Sequence, residues 1–410
     1  MTTEKLTAST GDPLVVPTHR APGSPARFWI TAYTLLLLLT GTNLPTPLYR
    51  GYEQAFGFSP LVVTLIFAVY VAALIPSLLI AGPLSDSIGR RKVLLPAVIL
   101  AALGSLSFAL ADNVGWLFAA RILQGLAVGA ASGALTAALS ELEPNGDRRR
   151  AALVSTVASV GGLGAGPLLA GLLAEYAPAP RVLPFVVEIV LLIPALFAMA
   201  TLPTARPTTK WRPRRPSVPA SVRGVFVTSG MASFLAFTVV GLFLSLVPTY
   251  VTKLSGSSNL ALAGGAVALM LVCSAVAQIL ASGKAALGLQ ITGLALLAVG
   301  LVLLAVAGQV SSLSLLLIAT VVGGIGQGLA FLGGITEVNR VAPPDRHADV
   351  LSSFYVVIYC GVGIPVISVG FLAGVTGLLA AVQWFAGVVA VLCLIDLLVL
   401  SRKRRNPAAA

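Results

Sequence analysis

Between residues 28 and 400, apolar runs of about twenty residues follow one another with only short polar gaps, and within a run the apolar positions show no preference for one helical face. A run of that length, wound as an α-helix, crosses a hydrocarbon core about 30 Å thick. The pattern predicts twelve spans, at about 28–49, 60–82, 93–111, 116–139, 151–175, 182–202, 225–250, 259–281, 286–307, 313–332, 350–372 and 377–400. The first is broken near its end by Pro45 and Pro47. Gaps of about ten residues make successive helices antiparallel neighbours. The predicted fold class is therefore an all-α integral membrane protein.

The polar remainder divides the chain. Residues 1–27 carry Pro13, Pro17, Pro22 and Pro25 and have no compact apolar core ahead of a small-residue cleavage site, so they read as a disordered cytoplasmic tail rather than a signal peptide. A Pro- and Arg-rich stretch at 204–224 is the linker between an N-terminal half, 28–203, and a C-terminal half, 225–400; a basic cytoplasmic tail, 401–410, closes the chain.

Composition sharpens this picture by exclusion. With 57% hydrophobic and 10% charged residues, the chain is far from a soluble globule, in which about a quarter of residues are charged. A net charge of +12 in a soluble protein would suggest a nucleic-acid partner, but here the Lys and Arg sit in short loops and tails, where topology and anionic lipid account for them. Cys273, Cys360 and Cys393 all lie in apolar runs, as small buried hydrophobes, and His19 and His347 lie in a tail and a loop. No metal site, cofactor or convergent nucleophile is indicated, so the sequence does not read as an enzyme. A receptor would need a cytosolic output domain, for which no segment remains.

Charge also orients the chain. With twelve spans, alternate loops and both tails hold nearly every basic residue, whereas the opposite side holds only Arg50, Arg181 and Lys253. That asymmetry places both termini and the linker in the cytoplasm. Miscounting one span in either half would scramble it.

The densest charge lies between the second and third spans, in Gly82-Pro83-Leu84-Ser85-Asp86-Ser87-Ile88-Gly89-Arg90-Arg91-Lys92. This run resembles the signature loop between the second and third helices of the major facilitator superfamily. Arg121-Ile122-Leu123-Gln124-Gly125 resembles the fourth-helix motif of its proton-coupled members, and Gly162-Leu163-Gly164-Ala165-Gly166-Pro167-Leu168-Leu169-Ala170-Gly171 resembles the fifth-helix motif of its exporting antiporters, with Ala170 replacing one glycine. Weak internal repetition agrees: Gln124-Gly125 recurs as Gln327-Gly328 (327 − 124 = 203) and Pro167 as Pro365 (365 − 167 = 198). The resemblance implies two pseudo-symmetric six-helix halves with a substrate site at their interface near mid-membrane. One departure is the gap Ser282-Gly283-Lys284, which lacks a second copy of the aspartate motif.

The resemblance implies roles for named residues. Gly82, Asp86, Gly89, Arg90 and Glu141 form a cytoplasmic gate, with Asp86 facing the start of the eleventh helix and Arg90 pairing Glu141; the alternative is a set of interface charges that only fixes topology. Arg121 inside a span costs about 2.5–3.5 kcal/mol or more unless it meets a partner or water. It faces a cavity, with Thr40, Thr42 and Asn43 as neutral partners, or it snorkels outward past Trp116. Asn43, Arg121, Gln124 and Glu188 are the candidates for cavity lining and proton coupling, with Asp396 ranked below Glu188. Gly162, Gly166, Pro167 and Gly171 are candidates for the conformational change, while Gly125, Gly129 and Gly133 on one face of the fourth helix read as packing. Trp29, Tyr33, Phe234, Phe237, Phe331, Tyr355 and Tyr359 line a site for an apolar solute or belong to the core.

The function expected is secondary active transport: proton-coupled efflux of small apolar or amphipathic organic compounds by alternating access, by a monomer in the cell membrane. The alternative is an uptake symporter or facilitator for a polar metabolite. The expected partners are a small-molecule substrate, protons and the lipid bilayer, and no nucleic acid.

Overall fold

The computed structural model describes residues 24–202, 217–344 and 346–405, with side chains described through Arg402. Most of the expected N-terminal tail, residues 203–216 of the linker region and the last five residues lie outside the described residues.

The described residues form α-helices joined by short turns. The first half contains α1 (Pro25–Asn43), α2 (Tyr49–Phe56), α3 (Pro60–Ile88), α4 (Arg90–Ala109), α5 (Val114–Leu142), α6 (Arg148–Tyr176) and α7 (Leu183–Ala200). The second contains α8 (Arg223–Ser245), α9 (Val247–Ser255), α10 (Leu260–Ala281), α11 (Ala286–Gln309), α12 (Leu313–Val341), α13 (His347–Thr376) and α14 (Leu378–Arg405). Eleven of these elements are long and apolar enough to cross a membrane. The twelfth span of the bundle is α1, whose apolar character is diluted by Arg27 and by Thr31, Thr34, Thr40, Thr42 and Asn43; these threonines and the asparagine are buried among neighbouring helices rather than turned to lipid.

The two short helices answer one another. The first span ends at Asn43 and, after a 3-10 turn at Thr46–Leu48, continues as α2. In the second half, α8 gives way directly to α9, which begins next to Pro248. Both short helices stop at a left-handed glycine, Gly57 and Gly256, the conformation that only glycine adopts without cost. Longer helices begin on side-chain caps: Asn113 accepts from the Gly115 N–H, Asp147 from Arg149 and Arg150, Asn259 from Leu262 and Ser312 from Leu315. At the turn between α3 and α4, Gly89 adopts φ +96°, which confines the signature loop to a single non-helical residue.

Packing repeats in the two halves. In the first, α5 packs on α3, α4 and α1, α6 on α1 and α7 on α4; in the second, α12 packs on α10, α11 and α8, α13 on α8 and α14 on α11. The halves meet along two seams, α3 with α13 and α6 with α10. Large apolar side chains such as Ile99, Phe197, Val302, Phe371 and Leu398 are exposed on the outside of the bundle, the surface a bilayer covers. The protein is a multi-pass integral membrane protein.

Candidate functional site

The first half encloses a polar network at the depth of the α1 C-terminus. Arg121 on α5 is completely buried. Its Nε donates to the Tyr49 hydroxyl (2.7 Å), and Nη1 donates to the Thr42 carbonyl (2.6 Å) and to Gln124 Oε1 (3.0 Å). Gln124 Nε2 in turn donates to the Gly41 carbonyl (3.0 Å). Four rings, Tyr49, Phe67, Tyr70 and Phe108, stand 5.4–5.8 Å from the guanidinium carbon, an aromatic cage that stabilises a desolvated cation. Nη2 is buried without a hydrogen-bond partner, and Arg121 forms no ion pair among the described residues.

Among the described residues, one buried carboxylate approaches the same stretch of α1, from α7. Glu188 is 2% exposed; its Oε2 accepts from the Ser105 hydroxyl of α4 at 2.6 Å. Its Oε1 lies where a side chain on Gly41 would begin, so the absence of a Cβ there is what admits the carboxylate. Residues 41 and 42 therefore lie between the cation and the acid: Gly41 and Thr42 offer carbonyls to the Gln124 and Arg121 side, and Gly41 offers its bare Cα to Glu188. Two ionisable groups, both buried, are held against one short backbone segment.

At the basic end of the bundle, Arg90 Nη1 bonds Asp86 Oδ1 (2.7 Å) and Ser85 Oγ (2.5 Å), and Nη2 bonds Glu141 Oε1 (2.9 Å). These contacts tie the α3–α4 turn to the end of α5, all within the first half. Close by, Glu143 is the anchor of the α5–α6 turn: its buried carboxylate accepts from the backbone N–H groups of Asn145 and Asp147 and meets Arg150 at 3.3 Å.

The seams between halves are closed from mid-bundle to the end opposite the basic loops. Gly363 abuts Val71 and Gly370 abuts Thr64 across α3 and α13; Gly264 abuts the Pro167 carbonyl and Gly171 the Leu260 carbonyl across α6 and α10. Toward the basic end the α6 face changes character. Val157, two turns before Gly164 on the same face, is 50% exposed, and Leu153, one turn further, is 53% exposed. The α6 side of this seam is therefore uncovered toward the basic loops.

This architecture has counterparts. The sequence matches the Major Facilitator Superfamily over residues 31–289. The chain belongs to the Major Facilitator Superfamily. Its fold is similar to that of a POT family transporter crystallised with 5-aminolevulinic acid (TM-score 0.76, 12% identity, covering 92% of this chain and 96% of that chain). It is also similar to that of a D-xylose-proton symporter (TM-score 0.74, 18% identity, covering 90% and 96%). Among curated proteins it is 32% identical, over 153 residues, to "Putative multidrug resistance protein MdtD" of Escherichia coli O6:K15:H31 (strain 536 / UPEC), 37% of this chain and 32% of that protein. The chain thus aligns with about a third of the length of that relative.

In this superfamily member, several residues singled out in the sequence stand elsewhere than expected. Arg121 neither snorkels nor opens to a cavity, because α1, α2, α3 and α4 supply the rings and carbonyl that enclose it. Asn43, Gln124 and Glu188 are likewise buried, so none of the four lines an open cavity in this state. Asn43 serves α6, donating to the Leu163 carbonyl, and leaves Arg121 to the Thr42 backbone. Gly162 and Gly166 seat α6 against the Leu36 and Thr40 carbonyls of α1, while Pro167 and Gly171 face α10; the motif serves two interfaces. Gly82 has open space around it. Trp29 is 54% exposed, and the Tyr33 hydroxyl donates to the Leu191 carbonyl on α7.

The sequence reading missed Tyr49, Ser105 and Gly41. Tyr49 lies just beyond the Pro45–Pro47 break, where an end of a span was expected rather than a tyrosine turned back under α5. Ser105 and Gly41 carry no charge or motif; Ser105 acquires meaning from Glu188, and Gly41 from Glu188 and Gln124.

Proposed function

We propose that this protein is a secondary active transporter that exports small apolar or amphipathic organic compounds in exchange for protons. The carrying observation is the Arg121–Gln124–Gly41–Glu188–Ser105 arrangement, one buried cation and one buried acid held against the same two residues of α1. Glu188 takes up and releases the coupling proton. Arg121 senses the change through Gln124 and the Gly41 and Thr42 carbonyls, and α1 passes it to α6 through the close contacts at Gly162 and Gly166. The scarcity of other buried charge favours an apolar substrate, since a sugar or anion demands several intramembrane polar groups for recognition. The name of the curated relatives, a multidrug resistance protein, points the same way.

The basic end is the cytoplasmic one, in the cell membrane, with both termini and the linker on that side, because basic loops are retained inside. The state described is then inward-open. Asp86, Gly89, Arg90 and Glu141 work as the inner gate, the Arg90 bridge holding the α3 end so that Asp86 meets α13 when the halves close there; Gly82 gives the α3 end room to move. The functional unit is a monomer, each carrying a complete pair of halves.

The test is flux in proteoliposomes containing the purified protein, with lipophilic dyes and neutral drugs as probes and a pH gradient as the only driving force. Uphill movement of a probe against a proton gradient is expected. Glu188→Gln should abolish that uphill movement yet keep substrate exchange at equal pH on both sides. Flux that ignores the gradient, or a Glu188→Gln variant still driven by it, overturns the reading.

A further inference from the structure

The resemblance accounts for a carboxylate at the basic end, Asp86, that addresses a helix start in the other half. It says nothing of the opposite end, where the halves are closed. There Glu175, in the last turn of α6, places Oε2 2.8 Å from the backbone N–H of Leu260, the first residue of α10. The bond crosses from one half to the other. The first N–H groups of a helix have no intrahelical acceptor, and their aligned dipoles favour a negative charge. α10 already has its own cap, Asn259, which takes the Leu262 N–H and leaves that of Leu260 to Glu175.

The surrounding packing makes this contact depend on closure. One turn before Glu175, Gly171 lies so close to the Leu260 carbonyl and Ala261 Cα that no side chain fits, and Gly264 is pressed on the Pro167 carbonyl. Glu175 stands at the outermost point of that glycine seam. A rocking of the halves that opens this end separates the carboxylate from Leu260 before it breaks contacts nearer mid-bundle, because displacement grows with distance from the pivot.

We propose that Glu175 is the positioning residue that selects the closed outer end: a carboxylate of the N-terminal half caps α10 of the C-terminal half only while that end is shut. Together with Asp86 at the basic end, it gives the molecule one carboxylate-to-helix-start contact per membrane side, on the α6–α10 seam outside and the α3–α13 seam inside. Rigid halves rocking about mid-bundle make one contact as they break the other. The two acids therefore set the balance of inward- and outward-open states from opposite sides. This inference rests on alternating access as proposed above, but not on the substrate or the coupling ion.

Distances across the outer end measure the balance directly. Spin labels at the exposed Gln54 and Ser258, as Gln54→Cys and Ser258→Cys in a chain lacking Cys273, Cys360 and Cys393, report on the two halves by double electron–electron resonance. Glu175→Gln keeps the shape and removes the charge, so the ratio of long to short distances should rise by roughly two- to fivefold, the range expected for an exposed charge at a helix start. Glu175→Asp, which retains the charge on a shorter arm, should shift the ratio less. Glu53→Gln, the loss of an equal charge from the same end of the first half, should leave it unchanged. Gly171→Ala forces Leu260 away sterically and serves as the positive control. If Gly171→Ala opens the end while Glu175→Gln does not, packing alone holds it shut and the proposal is overturned; an equal response to Glu53→Gln overturns it too. Since no substrate or gradient is present, failure of proton-driven flux would sink the transport reading and leave this result intact.

Discussion

The two halves share helix order and packing pairs but not chemistry, and the contrast is sharpest where they superpose in sequence. Gln124-Gly125 and Gln327-Gly328 stand 203 residues apart, and the same offset carries Arg121 onto Gly324. In the first half that position holds a buried guanidinium within an aromatic cage. In the second it is a glycine that lets α12 lie directly on the Met270 carbonyl of α10. The glutamines diverge as well: Gln124 links Arg121 to α1, whereas Gln327 accepts from Ser274 of α10, which also takes a bond from Gln278. Close packing of small residues is enough to build a six-helix half. The buried charge in the other half is an addition, paid for by a polar network, and that cost argues that it is kept for function.

The largest effect should come from imposing the first half's chemistry on the second. Gly324→Arg places a long cation where even a methyl group meets the Met270 carbonyl and Cys273 Cβ, a cost of roughly 3 kcal/mol or more from overpacking and desolvation together. Folded protein should be lost from membranes, as read by size-exclusion of a fluorescent fusion; wild-type amounts would mean that the seam between α10 and α12 is loose.

Removing the cation from the first half tests the contrast from the other side. Arg121→Ala should reduce gradient-driven efflux to background, at protein amounts near wild type. Arg121→Lys should rescue little, because an ammonium cannot reproduce the guanidinium's simultaneous bonds to Tyr49, Thr42 and Gln124. Free substitution by lysine would assign Arg121 to electrostatic balance alone.

The paired prolines sharpen the comparison further. Pro167 presents its carbonyl to the other half at Gly264, whereas Pro365 lines an apolar groove with Phe234 and Trp384 inside its own half. Pro167→Ala should slow turnover several-fold with probe binding retained, and Pro365→Ala should slow it less; stopped-flow efflux combined with equilibrium binding separates the two. Equal responses would show that both prolines act through helix shape rather than through the seam.

The smallest effect belongs to Asp86→Asn. Loss of a charge near a helix start is worth roughly 0.3–2 kcal/mol, enough to shift a population without unfolding the chain. Labelling of introduced cysteines from the basic side should rise; unchanged labelling with normal transport would leave Asp86 a topology charge.

How much of this was legible beforehand follows from what each feature depends on. Span number and the repeat of two halves were readable because each rests on a local property: a length of apolar chain, a residue recurring at a fixed offset. The Arg90–Glu141 bridge could be anticipated because the fold resemblance supplied the missing neighbour. The first helix is less apolar than the other spans because of its threonines and Asn43, and the tertiary structure buries these against neighbouring helices.

By itself the sequence determined that this chain lives in a membrane and how often it crosses, and it marked Arg121 as a costly residue to bury, since transfer free energy depends on residue type and span length alone. Only the tertiary structure decided that both groups converge on Gly41 and Thr42, that Asn43 serves α6 instead, and that Glu175 reaches across to Leu260. Those contacts join residues 79 to 147 positions apart in the chain, one of them across the linker, and depend on which glycine leaves room and which carbonyl lies within about 3 Å, a distance set by packed helices and not by any pattern along the chain.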